Sequence, residues 1–359
     1  MTTSTAARPE GTETRTYPAY SRPLWQRVLF TREAAIIGLL VAVFAYASAN
    51  VLNFDGPLTI YYLLLDIAPI LLIALPMTLV IITGEIDLSV ASVVGLSSVL
   101  VGILHQDFGL SIPVAALLAI LAGAVAGAFN GFLVAYVGLP SLAVTIGTLA
   151  LYRGLAVGLL GTTAVTDFPE KWTDLAKQHI GESSYPVIVI PFLVLLVIFV
   201  LLLHFSSFGR GVFEIGLNDE AAHFTGVNVA RTKLILFVLT GAVSALAGVY
   251  YTLRYGSARG DNATGLELQV IAAVLLGGVS IFGGRGALHG VVAGVILLGV
   301  LSSAMRLEGY TVNVINIIIG LLLIASVIST SVLAWLSAKK PGRARGVFGP
   351  GKRRQAASR

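Results

Sequence analysis

Few side chains in this sequence can do chemistry, and they stand at the edges of apolar runs. Thr83-Gly84-Glu85-Ile86-Asp87-Leu88-Ser89-Val90 puts two carboxylates between two such runs. Carboxylates there are costly unless they face water, a cap or a partner. Asp87 or Ser89 can cap the helix that follows, and Gly84 permits the turn before it. They are not a general acid and base, because nothing nearby completes a catalytic set. Arg153 lies inside a run. It can bind a hydroxylated or anionic solute, but such a residue more often pairs with an acid or snorkels, and Asp66 is an available partner. Asn130 can hydrogen-bond across a helix contact or line a pathway. Glu267 and Gln269, near the start of a later run, complete the polar candidates for a pathway or gate.

These residues are held by a chain of 359 residues that is 56% hydrophobic and only 11% charged. Soluble domains carry about 25% charged residues. The fold class expected is all-α and polytopic, with one membrane domain over residues 34–335. Ten apolar runs fall at about 34–52, 60–82, 87–104, 112–136, 141–160, 186–205, 234–253, 266–281, 289–305 and 311–335. A span takes ~20 apolar residues, so the run at 266–281 is short and reads as tilted, recessed or re-entrant. Gly and Pro clusters such as Gly138-Leu139-Pro140 mark the breaks.

With no cysteine in the chain, disulfides and cysteine-based metal sites or nucleophiles are excluded. No metal site is expected. Net charge is +5, and of 23 Lys and Arg, five precede residue 34 and eight follow residue 336. Basic tails flanking membrane spans follow the positive-inside rule better than they suggest nucleic acid. An even number of spans then puts both tails in the cytosol, with the chain multi-pass in the cell membrane. Residues 1–33 read as a disordered tail, turning amphipathic near Trp25, and 336–359 as a basic tail. Lys171, Lys177, Arg254, Arg259 and Arg306 fall on the outside in this topology, so it rests on the tails and on parity. Residues 162–185 form the longest outside segment. Around Lys171-Trp172 it suggests a short surface helix, either a docking surface for an external partner or a lid.

Residues 206–233 are the long polar exception between two apolar runs. Inside this stretch, Asn218 can cap a short helix, Asp219 and Glu220 suit its first turn, Ala221 and Ala222 follow, and Gly226 stops it. Gly123, Gly127 and Gly131 recur every fourth residue in the fourth run, which lets another helix backbone come close. Gly241 to Gly248 does similar packing work in the seventh. Gly84-Glu85-Ile86-Asp87-Leu88 is weakly echoed by Gly265-Leu266-Glu267-Leu268, five runs later. A duplication offset by an odd number of spans is inverted in the membrane, here over runs two to five and seven to ten.

Three stretches resemble one family. Residues 83–90 resemble the Thr-Gly-Gly-Ile-Asp-Leu-Ser signature of ribose/rhamnose-type sugar permeases of bacterial ABC importers, with Glu85 where the family usually shows Gly. Residues 214–227 resemble the family's coupling loop. Residues 265–286, with Gly278, Gly284 and Gly286, resemble its Gly-rich segment almost position for position. The resemblance covers roughly residues 60–335. It implies a dimer with a second permease copy or homologue, ATPase subunits on the cytosolic face and an extracytoplasmic solute-binding protein. It assigns Glu214, Gly216, Asn218, Glu220, Ala221, Ala222 and Gly226 to ATPase coupling, with Ala221 and Ala222 against the partner. No Gly-Lys-Ser/Thr occurs in the Gly-rich segment, so the chain is not itself the ATPase, and no enzymatic activity is expected of it. No cofactor is expected in this chain, and ATP belongs to the partner. The solute implied is a monosaccharide, rhamnose first. The rivals are a branched-chain amino-acid ABC permease, a secondary transporter driven by ions through Glu85, Asp87 and Asp66, and a membrane scaffold that transports nothing.

Overall fold

The computed structural model describes residues 31–338. The two tails, with the amphipathic stretch near Trp25, lie outside the described residues. Thirteen helices follow in order: α1 (Arg32–Asn50), α2 (Pro57–Ile82), α3 (Val90–Gln106), α4 (Ile112–Ala135), α5 (Ser141–Leu160), α6 (Glu170–Leu175), α7 (Val189–His204), α8 (Ser207–Leu217), α9 (Asp219–Phe224), α10 (Val229–Tyr255), α11 (Leu266–Leu276), α12 (Leu288–Leu307) and α13 (Val312–Ala338). Each of the ten apolar runs holds one helix. By length and composition, six of the described helices can cross a membrane, or seven if the pair α7 and α8, bent by 65°, is one span.

α2 is buried along most of its length and forms the centre of the packing, despite Pro69 and Pro76 within it. Beside it, α10 packs extensively on α2, α3 and α4. Glycines set that closeness. A side chain on Gly123 or Gly127 would run into the α10 backbone at Gly241 or Phe237, and Gly131 lies against Leu234. The glycine rows of the fourth and seventh runs thus pack on each other. Rows of exposed apolar residues on α4, α5 and α7, including Val125, Ile146 and Val197, suit contact with lipid chains.

The two ends of the bundle are told apart by α8 and α9, which lie at what we call the loop end. Glu33, at the start of α1, lies against Gly290 near the start of α12, so the described chain begins at the loop end. Ala258 pairs with Val165 at the far end. Two helices are short because non-helical chain takes the place of their first turns. Gly248 of α10 lies beside Val94 and Ser97, and Thr252 bonds Ser98. The start of α3 therefore falls about halfway along α10, at 1.5 Å per residue. Residues 83–89 climb to that depth from the loop end. In α12, Gly290 and Gly294 lie against Gly277 and Ala273 of α11. α11 therefore starts near mid-depth, reached by residues 256–265 from the far end, and finishes at the loop end. At 11 residues it is about 16 Å long and crosses only half a bilayer. The short eighth run is thus a half-length helix, and residues 256–265 with α11 together run from the far end to the loop end rather than turning back. The α2–α3 and α10–α11 units enter from opposite ends, as an inverted repeat requires.

Candidate functional site

The polar stretch at 206–233 is more ordered than a loop. α8 is amphipathic, burying Gly209, Gly211, Val212 and Ile215. The sequence reading missed this helix, although Ser206 caps it by accepting from the Gly209 amide at 3.0 Å. Asn218 ends α8 and caps α9, its Oδ1 accepting from the Ala221 amide at 2.8 Å. Thr225 donates to Glu214 Oε2 at 3.1 Å, tying the end of α9 back to α8. Gly226, at φ +92°, reverses the chain, and Asn228 caps α10 by accepting from the Arg231 amide at 3.0 Å. Gly216 touches backbone: a Cβ there would meet the Ile82 carbonyl and the Gly284 amide. Gly284 donates its amide to the Ile82 carbonyl at 2.8 Å. The end of α2, the Gly-rich turn and α8 therefore meet backbone to backbone. Only glycine allows that approach, and Gly283 and Gly284 adopt positive φ to make the turn.

α9 points its residues two ways. Glu220, Ala221, His223 and Phe224 face out, and Phe224 is 88% exposed. A groove of about 840 Å³ runs beside them, lined by His223, Phe224, Val227 and Val229. Ala222 turns inward and is 2% exposed. This corrects the expectation that Ala222 lies against a partner: its side chain is already covered by its own chain.

The remaining candidates separate into three places. Glu85 and Asp219 both accept from Lys233 of α10, at 2.7 and 2.6 Å. Asp87 is buried beyond them. Its Oδ1 accepts from the Ser89 amide at 2.9 Å and from Ser89 Oγ at 2.6 Å. Ser89 Oγ accepts from Asn130 at 2.8 Å, and Tyr152 donates to Asn130 Oδ1 at 3.3 Å and to the Ala126 carbonyl at 2.9 Å. Asp87 and Ser89 are thus joined across α4 and α5, and neither side chain caps α3 from its N-cap position.

Arg153 links the start of α3 to the non-helical segment that leads into α11. It donates to the carbonyls of Gly260 and Asn262 at 2.7 Å each, and to that of Ala91 at 3.1 Å. Its partner is not Asp66, which pairs with Arg254 and Arg306 at the far end. Glu267 is near enough to act electrostatically on Arg153, and Glu267 and Gln269 are half-exposed close to mid-depth. Glu85, Asp87 and Asp66 do not form one relay, because each is engaged by different partners at a different depth. No cluster of His, Asp or Glu able to hold a metal occurs among the described residues.

Helices that cross, two shortened helices approached by non-helical chain from opposite ends and a tied-down helical pair at the loop end are the parts of a transport protein. Residues 59–327 match the family described as branched-chain amino acid transport system / permease component. The chain belongs to this family. The permease is also similar to the autoinducer 2 import system permease protein LsrD of Yersinia enterocolitica, 34% identical over 319 residues, which are 87% of this chain and 93% of that one. The proteins of the same name from Yersinia pseudotuberculosis and Yersinia pestis are each 33% identical over the same shares. No solved structure matches the permease.

Proposed function

We propose that this permease is the membrane subunit of an ATP-driven importer of a small sugar-like solute, seated on its ATPase through α8 and α9. The observation that carries this is the exposure of Phe224 on a helix fixed from behind. A phenyl side chain left in water forgoes about 1.5–3 kcal/mol of burial. Glu214–Thr225, Asp219–Lys233 and the inward Ala222 hold α9 rigid, as a docking element needs. On this reading the ATPase binds ATP and sits in the cytosol, so the loop end is cytosolic and both tails lie there. A solute-binding protein docks at the far end, where α6 supplies an exposed surface. The chain itself catalyses nothing and holds no cofactor. ATP-driven closure of the ATPases moves α9 and switches the permease between outward- and inward-facing states.

Glu267, Gln269 and Arg153 mark the solute path. Half-exposed polar groups near mid-depth are costly against lipid, so they face a water-filled route closed by a second permease copy. The names of the similar proteins favour an autoinducer-2-type furanosyl solute and move rhamnose behind it. The amino acid in the family description finds no echo in those names.

Phe224→Asp removes the anchor without disturbing the buried face of α9, so the permease should remain in the membrane while co-purification of the ATPase falls at least tenfold. Undiminished ATPase retention would mean that docking lies elsewhere. Since the chain has no cysteine, Asn218→Cys and Thr173→Cys test orientation: an impermeant maleimide added outside should reach position 173 only. In proteoliposomes carrying the complex and its binding protein, uptake of autoinducer 2 should exceed that of rhamnose and of leucine, and should require ATP. Preferred leucine uptake would overturn the sugar reading, and uptake by the permease alone under a proton or sodium gradient would overturn the ATP-driven one.

A further inference from the structure

Lys233 is one of the few buried cations of the molecule, and it faces two carboxylates from separate elements. Asp219 is the first residue of α9, the proposed docking helix. Glu85 lies in the non-helical segment 83–89, which climbs to mid-depth. Both ion pairs are short, at 2.6 and 2.7 Å. Thr232, beside Lys233 on α10, is buried as well. Four residues past Glu85, Ser89 joins the buried chain of hydrogen bonds to Asn130 and Tyr152, and six past it the Ala91 carbonyl meets Arg153. The ion pairs therefore reach Glu85 from the outer helix, and the backbone of residues 85–91 leads on from there to the hydrogen bonds of Ser89 and the Ala91 carbonyl.

We propose that Lys233 is a positioning residue for coupling: it clamps α9 to the 83–89 segment, so that displacement of α9 is delivered to the start of α3. The inference rests on the docking reading of α9. Two physical arguments support it. A buried ammonium is costly unless paired, so with Asp219 pulled away Lys233 must follow it or be left with one partner. Charge-assisted hydrogen bonds are also the strong and directional ones, which suits a link that carries force. Gly216 gives the loop end a second connection, to the end of α2, but that contact is backbone on backbone and carries no charge.

Hydrogen exchange on the full permease, with and without its ATPase in lipid nanodiscs, tests the clamp. Binding of the ATPase should slow exchange in α9 and also in residues 83–91, the latter by about fivefold or more, the scale of an ordinary coupling between sites. In Lys233→Met, and separately in Glu85→Gln, protection of α9 should persist while that of 83–91 is lost. The rearranged triple variant Glu85→Lys, Lys233→Glu, Asp219→Lys restores both pairs with opposite signs and should recover the response at 83–91. If Lys233→Met does not accumulate, Glu85→Gln and the triple variant still decide the matter. The clamp is overturned if 83–91 never respond, if they respond equally in the single variants, or if the triple variant fails to recover. Lack of protection at α9 itself would instead remove the docking reading, and the clamp with it, which separates the two failures.

Discussion

The two ends of the bundle hold their charges in opposite ways. At the loop end one cation, Lys233, lies between two carboxylates, Glu85 and Asp219. At the far end one carboxylate, Asp66, lies between two guanidiniums, Arg254 and Arg306. The far-end group joins the ends of α10 and α12 to Asp66, about a third of the way along α2, and Arg254 also donates to the Leu65 carbonyl at 2.6 Å. Its members sit on long helices that share the core. The loop-end group joins α10 to a non-helical segment and to a six-residue helix, with Asp219 half-exposed. One cluster ties spans together, while the other ties a surface helix to the interior. The same chemistry thus serves rigidity at one end and connection at the other, depending on what carries the charges.

Breaking the far-end group should cost the most stability. Arg254→Met removes the buried guanidinium and leaves Asp66 only the half-exposed Arg306. Breaking a buried pair costs ~3–5 kcal/mol, and the surviving partner points to the lower end. Thermal unfolding in detergent should show a clear loss of stability, with the loop end still able to bind its ATPase.

Gly216→Ala comes next. The new methyl would press on the Ile82 carbonyl and the Gly284 amide, both backbone groups that cannot rotate away. Overpacking of this kind costs ~1–3 kcal/mol. Limited proteolysis should become faster in the 206–228 stretch, and an unchanged digestion pattern would show that the backbone contact yields easily.

Lys233→Met sharpens the comparison. Glu85 and Asp219 are left facing each other, but Asp219 is 50% exposed and water screens it. The stability loss should be about 1–2 kcal/mol, below that of Arg254→Met. A loss as large as at Arg254 would mean the loop-end group serves chiefly to hold the fold. Arg306→Ala should do least. At 49% exposed and 3.1 Å from Asp66, it makes a pair worth ~0–1 kcal/mol, and melting should barely move.

Much of this architecture is written in local sequence. Ten apolar runs produce ten helices because a helix in lipid must satisfy its own backbone. Asn218, Gly226 and Asn228 act as cap, stop and cap because each needs only its neighbours in the chain. α8 escaped notice because two of its four buried positions are glycine, with only Val212 and Ile215 as large buried residues. α3 starts at Val90, three residues later than its apolar run suggests, and α11 ends at Leu276, five residues before its run does, since an apolar residue reads the same in a helix and in buried non-helical chain.

Side-chain partners were decided by the tertiary structure alone. The sequence offered Asp66 to Arg153, yet packing brings Asp66 to Arg254 and gives Arg153 three carbonyls. It offered Ala222 to a partner, and the fold turned that residue inward and Phe224 outward. Glu85 read as a pathway group until α10 carried Lys233 to it across 148 residues. Helix formation, capping and span length depend on contacts within a few residues, so one chain read in order contains them. A charge buried in a membrane protein takes whichever partner the packing of distant helices supplies, and no local pattern encodes that choice.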